Sequence, residues 1–152
     1  MTIAIGSDHA GVDLKREIIS LLNNLHITSF DYGTEGPESV DYPDIGEKVA
    51  RAVSTGKVEK GILICGTGIG MSIVANKFRS VRAALCNDLF TARMSRLHND
   101  ANILVLGGRI VGKDLAMEIV KTWITTPFEE GRHLMRLGKI KQIEGSPTKN
   151  DF

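Results

Sequence analysis

The sequence predicts a three-layer α/β fold built on a five-stranded parallel sheet, and three observations carry that expectation. Short apolar runs alternate five times with segments of helical periodicity. The runs are apolar throughout, the pattern of strands covered on both faces. Polar and glycine-rich clusters follow several of them, where such sheets bind ligands beyond the carboxyl ends of their strands.

The elements follow in order along the chain. Ile3-Ala4-Ile5-Gly6 is the first strand and stops at Ser7-Asp8-His9. Leu14, Ile18, Leu21, Leu22 and Leu25 then recur at helical spacing. Ile27 to Tyr32 is the second strand, ended by Gly33. The polar stretch from Thr34 to Pro43, with two prolines, reads as a loop, and Asp44 as the cap of a helix carrying Ile45, Val49, Ala52 and Val53. Gly61 to Cys65 is the clearest buried strand and enters Gly66-Thr67-Gly68-Ile69-Gly70. A helix through Ala75 follows. Arg82 to Cys86 is the fourth strand, with Asp88 capping a helix to Leu97. Ile103 to Leu106 is the fifth, closed by Gly107-Gly108. Leu115 to Ile124 is helical with Trp123 on its apolar side. A last helix runs from Glu129 or Gly131 to about Ile143. Residues 1–144 thus read as one domain and 145–152 as a polar tail.

The 152-residue length suits a single domain with a real core, and the net charge of +1 gives no bulk attraction to nucleic acid or anionic lipid. No apolar run is long enough to cross a bilayer, and nothing before Ile3 resembles a signal peptide. The expected location is the cytoplasm, where the two cysteines, Cys65 and Cys86, stay reduced.

Cys65 ends a buried strand and precedes a glycine-rich turn at the head of a helix. Backbone N–H groups in such a turn converge on an anion and favour thiolate over thiol, so one loop can supply a base and a cradle for a developing enediolate. A dinucleotide fingerprint fails, because Met71 stands where the third glycine belongs. A Walker loop fails for want of a lysine before Ser72. Met71 also occupies the place of the arginine in cysteine phosphatase loops. A phosphocysteine carrier remains open. Cys86 has no such loop and reads as core.

Asp8 suits sugar hydroxyls and His9 a phosphate, although Asp8 is equally placed to cap the next helix. Arg132 and Arg136 lie one helical turn apart and, with His133, form a cationic spot fit for a phosphate; the alternative is a solvated helix face. Arg109 is a weaker candidate of that kind. His98-Asn99-Asp100 follows the fourth helix, at the end of the strands opposite Cys65. If His98 is catalytic, it must reach Cys65 from a neighbouring subunit.

Gly6-Ser7-Asp8-His9-Ala10-Gly11, Asp41-Tyr42-Pro43, Cys65 to Ser72, Ala75-Asn76-Lys77, His98 to Asn102, Gly107-Gly108-Arg109 and Gly131-Arg132-His133 occur in this order. Together they resemble the B-type ribose-5-phosphate isomerases of the ribose/galactose-isomerase family, from Ile3 to about Glu144. The resemblance implies a Rossmann- or flavodoxin-like strand order and a homodimer or homotetramer with shared active sites, in which the C-terminal helix makes dimer contacts. It implies that Cys65 is the proton-abstracting base, that His98 opens the furanose ring with Thr67 assisting, and that the backbone of Gly66, Thr67, Gly68, Ile69 and Gly70 holds the enediolate. Asp8, His9 and Asn99 would bind the sugar, and Arg132, Arg136 and Arg109 its phosphate. No metal or other cofactor is expected. The implied reaction interconverts D-ribose 5-phosphate and D-ribulose 5-phosphate. Rivals are isomerisation of allose or galactose 6-phosphate, a phosphocysteine carrier, and a non-catalytic sugar-phosphate binding module.

Overall fold

A computed structural model describes residues 1–146, so the expected tail falls largely outside the described residues. Five parallel strands, β1 (Thr2–Ser7), β2 (Thr28–Asp31), β3 (Lys60–Cys65), β4 (Ala83–Leu85) and β5 (Ile103–Gly107), form one sheet in the order β2-β1-β3-β5-β4. The helices are α1 (Val12–Asn24), α2 (Tyr42–Ser54), α3 (Ile69–Ala75), α4 (Leu89–Asn99), α5 (Lys113–Thr125) and α6 (Arg132–Glu144), with a 3-10 turn at His9–Gly11.

The three layers are as expected, but the last two strands are exchanged relative to the flavodoxin order 2-1-3-4-5. Burial explains the exchange. Every residue of β5 is buried, whereas β4 has three residues, all only partly buried, and suits an edge. One face of the sheet packs Ile3, Ile5, Ile62, Ile64, Leu104 and Leu106 under α1, α4 and α5. The other packs Ala4, Leu63, Cys65, Ile103 and Val105 under α2 and α3. Crossovers leading towards the β2 edge use the first face and those leading towards β4 the second, as a single crossover hand requires. Cys65 and Cys86 are both free and belong to cores on opposite faces.

Two of the element boundaries that differ from the sequence expectation matter for the site. The α2 helix begins at Tyr42, with Asp41 at its N-cap and proline at its start, so Asp44 lies in the first turn instead of capping. Proline's fixed φ is preset for a first helical turn, which lets Pro43 start the helix. The α4 helix runs on past Leu97 to Asn99, so His98 and Asn99 ride on its last turn. It ends where Asp100 turns left-handed (φ 44°). The Asp100 carboxylate is held there by Arg82 at 3.0 Å and Arg96 at 2.8 Å. Asp88 caps the helix start as expected, accepting from the Thr91 N–H at 2.7 Å.

A buried cation closes the β2 side. Lys15, 1% exposed, donates to Asp31 Oδ1 and Oδ2 at 2.8 and 2.7 Å and to the Thr34 carbonyl at 2.8 Å. It thereby ties α1 to the end of β2 and to the loop that follows. At the other end of the chain, α6 buries only His133. Burial lowers the His133 pKa, and the adjacent His98 lowers it further.

Two outcomes are expected. Lys15→Met strands a carboxylate and a carbonyl, and should cost about 3 kcal/mol in chemical denaturation; a loss below about 1 kcal/mol would reduce the pair to an ordinary surface contact. Because folding holds His133 neutral, the unfolded chain takes up its proton first on acidification. Stability should therefore fall as pH drops below about 6.5, the ordinary histidine value. His133→Phe should flatten that part of the Tm-against-pH curve, and an unchanged slope would assign it to other groups.

Candidate active site

Cys65 is the last residue of β3 and lies at the floor of an open cleft of about 430 Å³, lined by Asp8, Tyr42, Cys65, Gly66, Thr67, Ile69, Gly70, Ile73 and Arg109. Cys65 is 4% exposed, and its sulfur accepts the Gly68 N–H at 3.2 Å. Gly68 can aim its N–H this way because it is left-handed (φ 81°), and a side chain there would collide with Leu85 and the Leu106 backbone. Gly70 faces the Tyr42 ring, where a Cβ would come within 2.6 Å. The tight turn is thus clamped between α2 and the neighbouring strands.

The other residues expected at this end take distinct places. Asp8 accepts from the Ala10 N–H at 3.0 Å, so one oxygen caps the following turn, yet the residue still lines the cleft. His9 accepts the Val40 N–H through Nδ1 at 3.4 Å and holds the β2–α2 loop; it is not among the cleft-lining residues. Arg109 reaches over Gly66, with a guanidinium nitrogen 3.2 Å from where a Gly66 Cβ would stand. Cys86 is the core residue expected, and burial pushes its thiol pKa up.

His98, Asn99, Arg132 and Arg136 gather at the opposite end. Cys65 pairs with Gly107 and Gly61 with Ile103, so the start of β5 lies about 13 Å from the Cys65 level along the strands, and α4 ends beyond it. His98 stacks on His133 with ring centroids 4.3 Å apart and planes at 12°. Glu129 approaches both, at 3.9 Å from His98 Nε2 and 3.6 Å from His133 Nε2. The Glu129 N–H donates to the Leu97 carbonyl at 3.1 Å, which fixes the approach to α6 against the end of α4.

The cationic spot therefore needs correction. Arg132 and Arg136 are exposed, but His133 is buried and turned towards His98 and Glu129, with its pKa lowered, so it adds no charge. The sequence reading also missed Tyr42 and Glu129. Tyr42 looked like loop because Pro43 follows it, and Glu129 precedes the helix that carries its histidine partner.

The ribose/galactose isomerase family profile matches residues 3–140. A ribose-5-phosphate isomerase B of Clostridium thermocellum superposes with a TM-score of 0.93 at 58% identity, covering 95% of this chain and 97% of that one. Ribose-5-phosphate isomerase B of Escherichia coli is 47% identical over 93% of this chain and 95% of its own. D-erythrulose-4-phosphate isomerase of Pectobacterium atrosepticum is 42% identical over 95% of each. A match spanning nearly all of the sheet and its helices, with relatives this similar over this much of their length, makes the chain a member of the ribose/galactose isomerase family.

Proposed function

We propose that the chain is an aldose–ketose isomerase that interconverts D-ribose 5-phosphate and D-ribulose 5-phosphate at sites shared between two copies. The observation that carries this reading is the Cys65 thiol at the floor of an open cleft, with the Gly68 N–H directed at its sulfur. A base placed so takes the C2 proton of the open-chain aldose. The electron pair moves into an enediolate, and Cys65 returns the proton to C1 of the ketose while a proton passes between the two oxygens. Backbone N–H groups of the Gly66–Gly70 turn stabilise the enediolate charge. Asp8 orients the sugar hydroxyls from the cleft wall.

Ring opening needs an acid, and Asn99, Arg132 and Arg136 suit the rest of the sugar phosphate. All of these stand with His98 at the far end of the same subunit. A second copy, packed so that its α4–α6 end faces this cleft, brings both halves together. The exposed apolar residues Leu134, Met135, Ile140 and Ile143 of α6 favour such packing. The phosphate is remote from C1 and C2, so its binding energy serves to position the sugar. Thr67, exposed beside Cys65, is within the cleft to assist in ring opening. Free cysteines in separate cores agree with a reducing, cytoplasmic setting.

Two experiments test the reading. Cys65→Ala should lower kcat on ribose 5-phosphate by about 10²–10⁴-fold while substrate binding persists. A loss under tenfold would remove Cys65 as the base, and faster wild-type turnover of erythrulose 4-phosphate than of the pentose would reassign the substrate. Sharing of sites predicts complementation. Cys65→Ala and His98→Ala, each inactive alone, should recover about a quarter of wild-type activity when unfolded together and refolded as a statistical mixture, in which about half of the dimers are mixed and each mixed dimer has one intact site. No recovery in demonstrated mixed dimers would refute the shared site.

A further inference from the structure

The proposed proton transfers use His98 at the α4–α6 end, but leave Glu129 and His133 without a task. His133 is 3% exposed, and its Nε2 has no hydrogen-bond partner among the described residues. A buried, unpaired ring nitrogen is costly unless something occupies its lone pair. That nitrogen faces Glu129 Oε2 at 3.6 Å, beyond hydrogen-bonding distance, and His98 Nε2 faces the same oxygen at 3.9 Å. One ligand atom from each of the three residues lies within 4.8 Å of the others.

These spacings are those of a nearly formed coordination site. Two ligand atoms bound at about 2.1 Å to a tetrahedral metal stand about 3.4 Å apart. Both distances to Glu129 exceed that by half an ångström or less. The two rings now stack with their planes at 12°, so both lone pairs reach one ion only when the His98 ring, 39% exposed, rotates out of the stack about its side-chain bonds.

We propose that His98, Glu129 and His133 form a binding site for a divalent transition-metal ion of the zinc type, and that its occupation inhibits the isomerase by engaging the lone pair of His98. Two imidazoles and one carboxylate select such an ion over magnesium or calcium, which prefer all-oxygen shells. Three protein ligands leave a fourth position for water. The binding claim stands on this geometry, while the inhibitory claim rests on the proposed role of His98.

Titration of the metal-free full-length protein with Co²⁺, followed by absorption spectroscopy, and with Zn²⁺, followed by calorimetry, tests both claims. The expected result is one ion per chain with tetrahedral Co²⁺ bands and no thiolate charge-transfer band, unchanged in Cys65→Ala. Glu129→Gln and His133→Phe, the latter retaining the ring stack, should each weaken binding at least about tenfold. Zn²⁺ should inhibit ribose 5-phosphate turnover in the wild type, and both variants should need correspondingly more. A thiolate band that disappears in Cys65→Ala would overturn the site, as would equal affinity in folded wild type and variants. Binding at the site without inhibition would overturn the inhibitory claim alone. Absence of ribose 5-phosphate turnover in metal-free wild type would instead count against the isomerase reading, and leave the binding result to be judged by itself.

Discussion

The parallel sheet is the constraint on which the other features depend. Its five strands point the same way, so every strand-to-helix turn lies at one end and every helix-to-strand turn at the other. Cys65, Asp8 and Arg109 follow strands and therefore share the carboxyl end. His98 and Asn99 precede a strand and cannot join them within one subunit. No rearrangement of loops removes a separation set by the length of β3 and β5. If one sugar phosphate is to touch both sets, the second must come from another molecule. The division of labour proposed for this family member is thus a consequence of topology more than of any single contact.

The cleft in turn depends on a close approach of backbone to backbone. The Gly66–Gly70 turn is pressed between Tyr42 on one side and the ends of β4 and β5 on the other. Its glycines let Gly68 turn left-handed and send an N–H to the Cys65 sulfur. Tyr42 reaches this turn because Pro43 starts α2 early. The surroundings of the Cys65 thiol are therefore set by three segments far apart in sequence.

That dependence explains what was legible in the sequence and what was not. The strands, the Cys65 turn and the Asp88 cap rest on local chemistry, and residue types alone indicated them. Strand order is a matter of long-range pairing, and nothing in the letters of Ala83–Leu85 and Ile103–Gly107 states which is central; their unequal burial decides it. Lys15 shares the buried stripe of α1 with Val12, Ile18 and Leu22, an anomaly that becomes intelligible only once Asp31 and the Thr34 carbonyl are seen around it. His133 looked like part of a basic patch because its neighbours in sequence are arginines. Burial sets it apart from them: His133 packs against His98 while both arginines stay exposed.

The same geometry links the α6 helix to the chemistry at the end of α4. Only His133 of α6 is buried, and Leu134, Met135, Ile140 and Ile143 remain exposed. The helix is held to its own subunit at its beginning, where His133 stacks on His98 and Glu129 is bonded to the Leu97 carbonyl, and at its end, where Glu144 accepts the Ser80 N–H at 2.6 Å. Its remaining apolar surface is available to a second copy. On the proposed association, a shift of the start of α6 would pass through the His98–His133 stack, since His133 is the one buried side chain of that helix. Under that proposal, docking of the partner and orientation of His98 are coupled through this ring contact.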